Sequence, residues 1–421
     1  MELTFLPSLF TTFPDYTRRA LHYHIPAVIL EGFAQGISLL YIIIARKTLL
    51  ASDLIITLLT MGPLAVMILS NIFALEMFGK SKRPYFIASA IIGRVPLLLI
   101  FFIEDASMYA VIILISVFYY VIFKPAENSL IQANYDKSHI GEIYGYLSSI
   151  ALLSSMFAAF LGGKVLDADP HNYRYIIPAA AILSFIAMML YAFMPVRKVE
   201  YVNSERCKPS VLEAYKNFFT TLFKDKAFRR FEVCFLIYGF GILMLEPLVI
   251  ILFVNELKLE YSQAAAALGL VSQFVILLFT PFMGRLFDGI NAFKMLSLSV
   301  AILIFHSLLL YFSYGLALVY AAYVFRGLSM AGITILWNLG PIKFAGEKDS
   351  TNYMGIHLTM VGIRGILAPT LGMASYYLIG IRNAFLLSAA LLFISATLSF
   401  AYYKRENGLA ESKVEPIPLY R

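Results

Sequence analysis

Charge is the first thing this sequence is short of. Asp, Glu, Lys and Arg make up 14% of its 421 residues and hydrophobic residues 60%, where an ordinary soluble domain has about 25% and about 45–50%. That composition excludes a soluble enzyme of this length. Cysteine is nearly absent: Cys207 and Cys234 cannot build a disulfide framework or a four-ligand zinc site. His22 and His24, two apart, point to different helix faces and have no further ligands nearby, so no metal or other cofactor is expected. There is no HEXXH pair, no G-x-S-x-G turn and no pair of intramembrane aspartates, and an enzyme is therefore not expected. The stretch 74–81 fits a relaxed phosphate-loop pattern with Ala74 in place of the first glycine. It joins two apolar spans instead of a strand and a helix, which argues against nucleotide hydrolysis. No cleavable leader is expected either, because Arg18 and Arg19 follow an apolar stretch broken by Pro7 and Pro14 instead of preceding it.

What is present is apolar length. Windows fall at about 25–45, 54–74, 85–103, 108–130, 142–165 and 175–195, then at 232–253, 263–283, 293–313, 315–340, 353–379 and 383–403. Each is long enough for a membrane-spanning helix of about 20 residues. The expected architecture is an all-α membrane protein with twelve transmembrane helices, divided into 1–195, a linker at 196–231 and 232–421. Within the linker, 209–230 places Leu212, Tyr215, Phe219, Leu222 and Phe223 at helical spacing beside Lys216, Lys224, Lys226, Arg229 and Arg230, which predicts an interfacial amphipathic helix.

The formal charge of +7 would suggest nucleic acid in a soluble protein; here it orients the chain, and no nucleic-acid partner is expected. With the N-terminus placed in the cytoplasm, inner segments and tails carry 23 of the 33 Lys and Arg and outer segments six. That bias predicts cytoplasmic termini in a cell membrane.

The halves repeat. At an offset of 210, Asn128 falls on Asn338, Gly145 on Gly355, and Leu161-Gly162 on Leu371-Gly372. Half-chain periodicity signals duplication of a six-helix unit. Between spans eight and nine, Gly284-Arg285-Leu286-Phe287-Asp288-Gly289 has a glycine, an acid four positions on and basic residues beyond. With the small-residue spans five (Ser148, Ser149, Ser154, Ser155, Ala158, Ala159, Gly162, Gly163) and eleven (Gly362, Gly365, Pro369, Gly372), these features resemble the major facilitator superfamily of secondary transporters. The resemblance covers nearly the whole chain. It implies two pseudo-symmetric six-helix bundles, a monomer, and a cytoplasmic gate at Gly284, Arg285 and Asp288. The first copy of the loop is degraded, with Ala74 for the glycine and Phe78 for the acid.

Charges inside spans cost several kcal/mol unless paired or wetted, which makes them functional candidates. The acids are Glu31, Glu127 and Glu246; the bases are Arg94, Lys124, Arg326 and Arg364. At about 1.5 Å per residue, the three arginines lie near the midplane. The resemblance makes spans one, four, seven and ten line a central cavity, placing Glu31, Gln35, Glu127, Asn128, Glu246, Arg326, Trp337 and Asn338 along it. For Glu31 and Glu246, proton carriage competes with an ion pair to Arg94 or Arg326. Arg94 and Arg364 are expected to be structural partners of the acids, and Arg326 is placed to meet an anionic group. Lys124 and Glu127, three apart, are expected to neutralise each other. The leading expectation is proton-linked efflux of a small, partly apolar compound. The alternatives are an organic-anion importer using Arg326 and a transporter-shaped sensor or assembly factor.

Overall fold

The computed structural model describes residues 14–69, 73, 76–77, 80–135, 140–196, 220, 222–345 and 350–411. Among them there is no strand. Among the described residues, ten helices are long and apolar enough to cross a membrane. They are span 1 (Asp15–Lys47), span 3 (Arg83–Phe102), span 4 (Ala106–Ile131), span 5 (Ile143–Ala168), span 6 (Pro170–Phe193), span 7 (Lys226–Glu256), span 8 (Tyr261–Phe287), span 9 (Ala292–Tyr311), span 10 (Leu316–Ala345) and Tyr353–Glu406. The last is two helices joined at Gly380, whose φ of 80° only glycine adopts without strain, and these are spans 11 and 12. Asp53–Leu69 is a shorter apolar helix and is span 2. Over its described residues, each apolar window of the sequence falls on one of these helices, and the all-α membrane fold with twelve spans is the expected one. The amphipathic-helix residues Leu212, Tyr215, Lys216 and Phe219, and Ala74 and Phe78 of the degraded loop, lie outside the described residues.

Local chemistry sets where several spans begin. Asp105 accepts the Met108 N–H (2.8 Å), Asp225 that of Phe228 (3.0 Å) and Asn291 that of Phe293 (2.8 Å). Each N-cap pairs a helical donor that would otherwise enter the membrane edge unsatisfied. Large apolar side chains such as Phe157, Leu278, Phe282 and Phe393 stand exposed on span surfaces. Hydrocarbon covers them in a multi-pass membrane protein.

The chain forms two compact units, Met1–Val211 with Ile250–Phe274, and Leu212–Val249 with Val275–Arg421. In the first, span 5 lies against span 1 along its small residues. A Cβ at Gly32 would sit 2.6 Å from the Ala151 carbonyl oxygen, and one at Gly36 would run into the Ser155 carbonyl and Ala158. In the same unit, Asp167 at the end of span 5 accepts the N–H groups of Tyr261 (2.7 Å) and Ser262 (3.2 Å) and caps the helix starting there. In the second unit, Gly372 of span 11 meets the Met244 backbone with no room for a side chain. Lipid supplies no hydrophobic drive between helices, so this close backbone approach takes over the work of packing.

Gly36→Ala is expected to lower stability by about 1–3 kcal/mol through overpacking. Gly145→Ala, where a Cβ meets nothing within 4 Å, should be neutral or slightly stabilising. Unfolding of the detergent-purified variants measures the contrast, and equal stabilities would refute the close-approach role.

Candidate functional site

In the first unit, spans 1, 4, 5 and 6 line a half-open cleft of about 80 Å³ with Glu31, Gln35, Tyr119, Lys124, Glu127 and Tyr191 on its walls. Phe86 and Phe123 pack on Tyr191 (ring centroids 5.6 and 5.1 Å) and fix its position. Glu31 is buried, and its Oε1 accepts from Arg94 Nη2 (2.9 Å) and the Tyr119 hydroxyl (3.3 Å), while Ser184 bonds Oε2. The Arg94 guanidinium lies 3.7 Å from the Tyr119 ring centroid. One carboxylate thus ties spans 1, 3, 4 and 6. Lys124 pairs with Glu127 (2.6 Å), which also meets the Tyr191 hydroxyl (3.4 Å). The i,i+3 neutralisation expected of that pair is present, and it forms part of the cleft wall. Asn128 is exposed and not part of that wall. His24 is buried, its Nδ1 2.5 Å from the Tyr135 hydroxyl.

In the second unit, Arg326 of span 10 pairs with Glu246 of span 7 (2.9 Å), and both side chains keep some exposure, 22% and 36%. The guanidinium also sits 5.5 Å from the Tyr323 ring. Trp337 is half-buried; Asn338 is exposed and donates to the Thr334 carbonyl (2.8 Å). Arg364 is buried and has no carboxylate partner among the described residues. It donates to the Phe235 carbonyl and lies 4.8, 5.5 and 5.6 Å from the rings of Phe235, Tyr238 and Trp337. At the gate sequence, Gly284 and Arg285 end span 8, and the side chain of Asp288 lies outside the description. The following turn is held by Lys343 of span 10, which donates to the carbonyls of Phe287 (3.2 Å) and Ile290 (2.9 Å). No metal-binding group of His, Cys, Asp or Glu occurs among the described residues.

Sequence reasoning missed one buried pair. His357 Nδ1 lies 2.8 Å from Glu232, with side chains 0% and 2% exposed. Glu232 opens one apolar window and His357 lies a turn into another. Their polar character at window edges was the available signal, but nothing in the sequence joined them.

The fold defines a class: a multi-pass helical membrane protein. The Major Facilitator Superfamily model matches residues 25–369 and, overlapping, 234–417. The chain belongs to the major facilitator superfamily. The second match lies on the second half, in keeping with the internal repeat. Among solved structures, the chain is similar to the nucleoside transporter NupG in a mutant form (16% identity, TM-score 0.71, covering 91% of this chain and 99% of that one). It is similar to a POT family transporter in complex with 5-aminolevulinic acid (12%, 0.72, covering 92% and 96%). It is also similar to a bacterial homolog of the human lysosomal transporter Spinster (13%, 0.69, covering 93% and 98%). At these identities the likeness concerns the fold. A search of curated proteins finds no match.

Removing one partner of a buried ion pair strands the other, at about 3–5 kcal/mol. Arg94→Gln is expected to lose stability on that scale, and adding Glu31→Gln should recover part of it, read as a coupling energy in a double-mutant cycle. Additive losses from the two substitutions would show that the pair contributes no joint stability.

Proposed function

We propose that the chain is a proton-linked exporter that exchanges inward-moving protons for a small, partly apolar molecule by alternating access. The observation that carries this reading is Glu31, held by Arg94, Tyr119 and Ser184 on the wall of a cleft that also presents Tyr191 and Gln35. Ionised, Glu31 binds spans 3, 4 and 6 to span 1. Protonated, it loses its charge attraction to Arg94 and loosens that junction, so a proton exchanged there biases the unit between two arrangements. The tyrosine rings offer apolar surface and the hydroxyls and carboxylates offer polar partners, a mixture suited to a partly apolar solute. The anion-importer reading built on Arg326 has less support, because Glu246 already neutralises that guanidinium.

The same reading has a monomer in a cell membrane, with bundles at 1–195 and 232–421 and with both termini and the 196–231 linker in the cytoplasm. It assigns Asp288, with Gly284 and Arg285, to the cytoplasmic gate, and Glu127, Asn128, Glu246, Trp337 and Asn338 to the substrate and proton pathway. Charge distribution supports the orientation.

In proteoliposomes, Glu31→Gln is expected to reduce pH-gradient-driven movement by at least about tenfold while leaving substrate exchange without a gradient largely intact. Both rates are normalised to the monodisperse fraction. Undiminished gradient-driven movement would reduce Glu31 to a structural partner of Arg94. In a background without Cys207 and Cys234, Lys216→Cys should react with an impermeant maleimide only from the cytoplasm. Labelling from outside alone would reverse the orientation.

A further inference from the structure

Arg94, Lys124, Arg326 and Arg364 lie well inside the apolar spans, and three of them are answered by an acid: Arg94 by Glu31, Lys124 by Glu127 and Arg326 by Glu246. Arg364 of span 11 is the exception. It is 3% exposed, its Nη1 donates to the Phe235 carbonyl, and its Nε is buried with no hydrogen-bond partner. The acid nearby on span 7, Glu232, is occupied by His357. A buried cation without a counter-charge costs several kcal/mol, and ring faces offset only part of that. The fold is nevertheless built to hold it there. A side chain at Gly239 would collide with the Arg364 Cδ, Nε and Nη1, so the absence of one leaves the space that the guanidinium occupies.

We propose that Arg364 is an anion-binding residue and takes the carboxylate of a substrate whose apolar or aromatic body lies against Trp337. With Nη1 engaged by the Phe235 carbonyl, the guanidinium retains the edge formed by Nε and Nη2. Two parallel N–H groups on that edge match the two oxygens of a carboxylate, a geometry that lysine cannot reproduce. Trp337 is the half-buried member of the aromatic set around Arg364, and His357, 5.3 Å from it edge-on, leaves its own Nε2 unpartnered. The cluster therefore offers the unmet Arg364 Nε–H and an unpartnered ring nitrogen of His357 beside the partly exposed Trp337. A ligand carboxylate would supply the direct ion-pair partner that no described side chain provides, since Glu232 acts on Arg364 only at longer range. The substrate becomes an organic anion with an apolar body, which refines the partly apolar molecule of the proposed transport and rests on that reading only in calling the ligand a substrate.

Trp337 is the only tryptophan in the sequence, so its fluorescence reports on this place alone. The full chain in lipid nanodiscs is titrated with benzoate and hexanoate, with benzyl alcohol as the uncharged counterpart of benzoate and inorganic phosphate as the competing oxyanion. The expected result is a saturable change in Trp337 emission with at least one carboxylate and none with benzyl alcohol. Arg364→Lys, which keeps the charge and loses the fork, should weaken that response at least tenfold without lowering the unfolding temperature by an amount that explains it. No saturable carboxylate response in the unmodified chain would overturn the proposal whether or not the variant folds. An undiminished response in a folded Arg364→Lys chain would overturn it too, as would phosphate saturating at lower concentration than either carboxylate. The readout is binding at rest. A chain that binds benzoate yet moves nothing under a pH gradient would sink the transport reading and leave this one standing, and coupled movement without carboxylate binding would do the reverse.

Discussion

Hydrocarbon supplies neither hydrogen bonds nor counter-ions, and this constraint governs where the few charges of the chain can sit. Among the described residues, the carboxylates away from the span ends bond to a base on their own or a neighbouring helix: Glu31 to Arg94, Glu127 to Lys124, Glu246 to Arg326 and Glu232 to His357. Such pairs contribute little net stability compared with apolar replacements, since desolvation consumes most of the Coulombic gain. Their value lies in what happens when a partner changes charge. Releasing one proton or one anion at such a pair alters the attraction between whole helices, and a transporter needs that sensitivity.

The second requirement is close approach. Span 1 can lie on span 5 because Gly32 and Gly36 have no side chains to hold the backbones apart, and Gly372 plays the same part against Met244 in the second unit. The repeated Leu-Gly pairs show how two copies of one pattern diverge. A Cβ at Gly162 would meet the side chains of Ile37 and Leu40, whereas one at Gly372 would meet backbone. The first contact can be relieved by rotamer changes and the second cannot, so the duplicated glycines differ in how much substitution they tolerate. Polar chemistry has diverged too. The first unit brings Glu31, Lys124 and Glu127 to one cleft, while the second separates a Glu-Arg pair, a Glu-His pair and an arginine enclosed by rings.

Much of this was legible in the sequence. Apolar runs of membrane length, separated by capping residues such as Asp105, Asp225 and Asn291, are a local property of the chain, and they determine the helices whatever surrounds them. The half-chain repeat and the scarcity of charge follow from composition and spacing in the same way, as do the membrane setting and the pairing of Lys124 with Glu127 three residues apart. Which distant charges meet is a different kind of fact. Arg94 reaches Glu31 across 63 positions, Arg326 reaches Glu246 across 80 and His357 reaches Glu232 across 125. Those meetings depend on the rotation of each helix about its axis and on the register of its packing, neither of which an evenly apolar span encodes. Arg364 shows the difference most clearly. From sequence it is one more buried base expected to meet an acid, and only the packing of spans 7, 10 and 11 surrounds it with aromatic rings and leaves it without a direct ion-pair partner among the described residues.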